Sequence, residues 1–164
     1  MKFSLHKEYM QVENWYVIDE DFPWEIGQVK TDIMSLYPHY DAPVIFCDTC
    51  DANEILLALG EEEEEFLLPM NGFYHLGKKI IFIFAWDTYE QLLVTLLHEI
   101  HHHIEYQSKH GQKRFKMERY LPYEARTMER DARDFAREKM MLYVPKVNRA
   151  YHANDPFLLK KEDR

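Results

Sequence analysis

The chain has 164 residues, 46% of them hydrophobic and 15% aromatic, enough apolar matter for one packed domain over residues 1–164. Its 29 acids against 20 bases leave a formal charge of −9, a sign that phosphate backbones and anionic lipid repel, which argues against nucleic-acid and membrane-surface binding. No apolar run reaches signal-peptide or membrane-spanning length, so a cytoplasmic protein is expected.

In chain order, "DFPWEIGQVKTDIMSLYP" (21–38) opens at Asp21, carries Pro23 near its first turn and repeats Ile26, Val29, Ile33 and Leu36 at helical intervals, predicting a first amphipathic helix. "APVIFCD" (42–48) reads as a short buried strand. "DANEILLALG" (51–60) reads as a short helix with a capping box from Asp51 to Glu54 and a stop at Gly60. The acidic run Glu61 to Glu65 reads as a solvated loop or helix face. "FLLPMNGFYHLGKKIIFIFAW" (66–86) predicts two or three strands, with reversals at Asn71-Gly72 and at Gly77-Lys78-Lys79.

A long helix follows over "DTYEQLLVTLLHEIHHHIEYQSKHG" (87–111), capped by Asp87 with Glu90 and closing near His110-Gly111. A second long helix is expected over "LPYEARTMERDARDFAREKMMLYVP" (121–145), with Pro122 near its start and Pro145 beyond its end. The elements describe an α+β fold in which a small mixed sheet packs against the first long helix. Cys47 and Cys50 are the only cysteines; without a second pair they read as two reduced thiols, at least one buried.

Four of the nine histidines fall within six residues of the first long helix, and His98-Glu99-Ile100-His101-His102 satisfies H-E-x-x-H. Residues four apart on a helix project about 40° apart, so His98 and His102 can aim at one metal ion. Glu99 lies beside them, where it would take a proton from water that the ion acidifies. Leu92, Leu93, Leu96, Leu97, Ile100 and Ile104 form an apolar stripe whose centre is opposite the two histidines, so one face packs while the other looks into a cleft. His101 and His103 diverge from the pair and are not expected to be ligands.

Three protein ligands plus an open position make a catalytic zinc site. On the second long helix, Ala125, Met128, Ala132, Phe135 and Ala136 form the inward stripe. Glu129 is the carboxylate inside it, while Asp131, Asp134 and Glu138 point away. A buried acid needs a cation to offset its desolvation, and small alanines allow close helix approach. Glu105, one turn beyond His102, is the alternative third ligand or an orienter of a ligand imidazole.

At these residues the chain resembles the ImmA/IrrE-type family of small bacterial zinc peptidases, a gluzincin-like group. That family pairs an H-E-x-x-H helix with a later helix of the form E-x-x-A-[ND]-x-F-A. "HEIHH" fills the first element and "ERDARDFA", Glu129 to Ala136, the second, followed by "KMMLYVP"; the resemblance spans residues from about 72 to 145. Arg133 stands where Asn or Asp is usual, and Ile100-His101 replaces a commoner Leu/Ile-Gly pair. The resemblance implies a zincin-like minimal domain, Zn2+ held by His98, His102 and Glu129, Glu99 as general base, and a protein or peptide substrate, its better-known members acting on repressor proteins. The strand "KKIIFIF" is then expected to hold substrate by edge pairing, and Tyr120, Tyr123, His110, Tyr151 and His152 are the candidate oxyanion partners. The alternative is a non-catalytic zinc-binding interaction protein. Such a protein has no use for a base at Glu99.

Overall fold

Two parallel strand pairs set the architecture, because each needs a crossover and a helix is the usual way to make one. In the computed structural model, which describes residues 5, 7–67 and 69–143, the strands are β1 (Met10–Val12), β2 (Trp15–Val17), β3 (Val44–Phe46), β4 (Gly72–His75) and β5 (Ile80–Ile83). They form one mixed sheet in the order β1-β2-β3-β5-β4. β2 and β3 pair in parallel, as do β3 and β5, while β1 and β4 close the sheet antiparallel at its two edges. The crossovers contain α1 (Ile26–Leu36) and α2 (Thr49–Ala58). Then come α3 (Tyr89–Tyr106), α4 (Lys109–Glu118), a 3-10 turn (Tyr123–Ala125) and α5 (Thr127–Met140). The protein is therefore mixed α+β, as expected.

The parallel strands are apolar at every position because both faces are covered. On one face, Trp15, Val17, Val44, Phe46, Ile81 and Ile83 pack with Val29 and Ile33 of α1 and the leucine stripe of α3. On the other, Tyr16, Ile18, Ile45, Ile80 and Phe82 pack with Ala52, Ile55 and Leu56 of α2. Leu92, Leu93, Leu96, Leu97 and Ile100 are fully buried, and each such side chain contributes roughly 1.5–3 kcal/mol. That anchorage fixes which way the opposite face of α3 points.

Several boundaries differ from expectation. α1 starts at Ile26 behind Glu25, which makes no side-chain cap, so Pro23 precedes the helix. α2 starts at Thr49, and its cap is Asp48, which accepts from the Asp51 N–H; the Asp51–Glu54 box does not form the N-terminus. Thr88, not Asp87, caps α3. α3 ends at Tyr106, Ser108 starts α4, and Gly111 lies inside α4 rather than closing α3. A Cβ at Gly111 would fall 1.8 Å from the Glu105 carbonyl oxygen, so glycine is what lets α4 fold back over the end of α3. α5 begins at Thr127, with the Pro122 region forming the 3-10 turn; Pro145 lies outside the described residues. Asn71-Gly72 opens β4 instead of reversing the chain, while the turn after His75 joins β4 to β5 as the sequence predicts. β5, within "KKIIFIF", lies between β3 and β4 and has no free edge; the edge strand next to α3 is β4. Among the described residues, no helix is long and apolar enough to cross a membrane.

Candidate metal centre

The centre is built where α5 crosses the outward face of α3. Ala132 and Ala136 are completely or almost completely buried, and their small side chains let the α5 backbone come close to α3. Glu129, in the first turn of α5, is thereby carried to the two imidazoles. One carboxylate oxygen, Oε1, lies 2.8 Å from His98 Nε2 and 3.0 Å from His102 Nε2. The two rings stand 4.8 Å apart between centroids and nearly perpendicular, at 84°. His98, His102 and Glu129 each offer one ligand atom within 4.8 Å of the others and could together hold a metal ion.

The donor set fits such an ion. Two imidazole nitrogens and one carboxylate oxygen are donor types that bind divalent metal ions. All three side chains are wholly or mostly shielded from solvent, with Glu129 only 7% exposed, and a buried carboxylate needs a positive partner.

A family model described as "Protein of unknown function (DUF3920)" matches residues 17–147. The chain belongs to this family. No curated protein and no solved structure matches it.

In this DUF3920 chain the two carboxylates of the centre are driven in opposite directions. Burial alone would raise Glu129, but hydrogen bonds from His102 and His98, with their charge, hold it far below the usual carboxylate range. Glu99 is buried on the same side of α3, and desolvation raises its carboxyl, with His102 and His98 offsetting part of the effect. His102 is raised overall, because Glu129 and Glu99 outweigh its own desolvation.

The neighbouring candidates separate cleanly. Glu105 is held by Arg114 Nη1 at 2.9 and 3.1 Å, so that carboxylate is committed to a guanidinium rather than to the cluster. His101 packs on Phe135 and lies 3.4 Å from Glu105, and it does not join the centre. His103 is buried, with Nδ1 2.8 Å from the Tyr74 hydroxyl and Nε2 3.2 Å from Asp41, tying α3 to β4 and to the loop before β3. Of the five proposed oxyanion partners, Tyr123 alone is brought beside the centre among the described residues. Burial pushes its hydroxyl up to about 12, with Glu129, to which the hydroxyl is directed, and Glu99 adding to the rise. Tyr120 and His110 are exposed, and Tyr151 and His152 lie outside the described residues. Cys47 is buried and Cys50 exposed, both as free thiols away from the cluster.

Sequence reasoning missed the support of α5. Arg126, at its N-cap, makes no side-chain cap. Glu118 of α4 supplies one instead, accepting from the Met128 N–H at 2.9 Å and from the Thr127 hydroxyl. Arg114 then bridges Thr127 and Asp131 of α5 to Glu105 of α3. The signal was an arginine and a glutamate four apart, which reads equally well as a solvated helix face.

Proposed function

We propose that the chain is a zinc-dependent peptidase of the zincin-like kind implied by its resemblance to the ImmA/IrrE-type family, acting on a protein or peptide. His98, His102 and Glu129 would hold Zn2+, and Glu99 would be the general base. The observation that carries the reading is the convergence of Glu129 Oε1 on the Nε2 atoms of His98 and His102, at 2.8 and 3.0 Å, with Glu99 buried beside them on α3. Glu129 is stabilised in its charged form against two imidazoles, as a ligand must be. Glu99 is buried next to His98 with a carboxylate that makes no hydrogen bond among the described residues, which leaves it free to exchange a proton.

When bound, the ion supplies Lewis acidity, polarising a scissile carbonyl and raising the acidity of water. The protein does the rest. The Glu99 carboxylate takes a proton from the attacking water and returns it to the departing amine. Tyr123, half exposed beside Glu129, would turn its hydroxyl from that carboxylate to donate a hydrogen bond to the negative charge that develops on the carbonyl oxygen. The outer edge of β4, unpaired among the described residues and beside α3, offers backbone groups for an extended substrate, whereas β5 of "KKIIFIF" is paired on both sides.

The test combines elemental analysis with cleavage of a peptide library. Wild type should carry about one zinc per chain and cleave. Glu99→Gln should keep the zinc and lose roughly 10²- to 10⁴-fold in rate. Equal products at equal rates from both proteins would remove Glu99 from the chemistry. A folded protein that binds no zinc when zinc is supplied would remove the metal.

A further inference from the structure

Resting on the peptidase reading above, we infer that Gly72 is a positioning residue for Glu99: its missing side chain forms the wall of β4 against which the catalytic carboxylate stands. Gly72 opens β4 and pairs with Ile83. Its φ is not in the left-handed region, so the backbone does not demand glycine there. The surroundings do. A Cβ at this position would lie 2.9 Å from Thr95 Cγ2, 3.1 Å from Glu99 Cγ and 3.3 Å from Glu99 Oε2.

Something must shift if the methyl is added, and the neighbours differ in their freedom. Thr95 is pinned: its hydroxyl donates to the Gln91 carbonyl at 3.0 Å and accepts from Gln91 Nε2 at 3.1 Å, so turning the methyl aside breaks both contacts. The start of β4 is pinned through Asn71, whose carbonyl accepts from the Phe84 and Ala85 amides at 2.8 and 3.2 Å. α3 is locked into the core by its buried leucines. The Glu99 carboxylate, by contrast, makes no hydrogen bond among the described residues, and its charge interacts with its neighbours only through space. Packing at Gly72 and Thr95 therefore does the orienting that hydrogen bonds do elsewhere. The added methyl displaces the base and leaves the three ligands where they are.

The experiment is Gly72→Ala, with Gly72→Ala/Thr95→Ser as its partner, because the serine keeps the hydroxyl and removes the methyl that is struck first. Zinc-loaded Gly72→Ala should hold one ion per chain and lose kcat by roughly 10-fold, and by no more than the about 10²-fold that misplacing a reacting group by about 1 Å costs, with KM little changed. The double variant should recover only part of that loss, because the serine relieves the 2.9 Å contact while those to Glu99 at 3.1 and 3.3 Å remain. The crystal structure of Gly72→Ala is the readout independent of turnover: the Glu99 carboxylate is rotated away while the α3 and β4 backbones superpose on wild type. Unchanged kcat, or a Glu99 carboxylate left in place while β4 or α3 moves, overturns the inference. Should the single variant not fold, the double variant is compared with Thr95→Ser by the same measurements. If wild type cleaves no peptide, the peptidase reading fails by itself, and the displacement in the crystal still decides whether Gly72 positions Glu99.

Discussion

Replacing Glu118 by glutamine tests whether the α5 cap places Glu129. The Glu118 carboxylate, largely shielded, accepts from the Met128 amide and the Thr127 hydroxyl, while Arg114 Nε stands 3.6 Å away. Loss of a helix N-terminal acceptor costs about 0.5–2 kcal/mol, and hydrogen bonds to a charged group contribute about 1.5–3 kcal/mol. Glutamine keeps one oxygen for the amide, but turns an NH2 group towards the Thr127 hydroxyl and withdraws the charge facing Arg114. A loss of about 1–2 kcal/mol at pH 7 is expected, and about 2–3 kcal/mol for Glu118→Ala, which leaves the Met128 N–H without its acceptor. The pH dependence has a definite sign. Burial would raise the Glu118 carboxyl, but its donors and Arg114 hold it below the ordinary value. Its contribution is therefore complete above the unfolded value, about 4.3, and is lost as pH falls through the lower folded value. Urea titrations of wild type and Glu118→Gln should differ at pH 7, and the gap should narrow as pH falls below the ordinary carboxylate range, with zinc affinity of the variant reduced because Glu129 lies in the capped turn. Equal stability and equal zinc affinity at pH 7, or a gap that does not narrow at any acid pH at which the protein remains folded, would refute the cap.

Further outcomes follow from the same geometry. His98→Ala, His102→Ala and Glu129→Ala should each lower zinc occupancy by orders of magnitude in elemental analysis, while His101→Ala retains the ion. Ala132→Leu places a branched side chain where α5 is fully buried against its neighbours, so it should cost about 1–3 kcal/mol in denaturant unfolding and weaken zinc binding. In native protein, Cys50 should react with an alkylating reagent while Cys47, whose thiol burial pushes well above its ordinary value, does not; Cys47→Ser/Cys50→Ser should keep its zinc and lose only stability.

Elements with a strong period were legible from sequence, and those that depend on a partner elsewhere in the chain were not. The leucine stripe of α3 and the apolar run of β3 announced themselves because burial is written directly into the residue type. The β1–β2 hairpin did not. Its strands have three residues each, and the left-handed φ of +52° in its turn is taken by Glu13, where a glycine or asparagine would have been the signal. The break between α3 and α4 was hidden for a related reason. Gly111 looked like a helix stop, but its use is to let a carbonyl six residues earlier approach where a Cβ would clash.

The centre was more legible than the fold around it, because its chemistry needs scarce residue types at fixed helical spacing. Two imidazoles four apart point together on any α-helix, whatever packs against the other face. The same logic singled out Glu129, since an acid among alanines on an inward stripe must meet a positive or ligated partner, and it lies 2.8 and 3.0 Å from the imidazoles of His98 and His102. Local spacing cannot show what crosses from another element. That Arg114 occupies Glu105 and that a Cβ at Gly72 would crowd Glu99 are facts about helix and strand separation, decided when the leucines of α3 settle on the sheet. The residues that would bind the metal are thus set by local periodicity, whereas those that hold Glu99 and Glu129 in register are set by the depth at which α3 and α5 pack. Substitutions in the first group should abolish zinc binding. Those in the second should grade it, or leave it intact and change turnover alone.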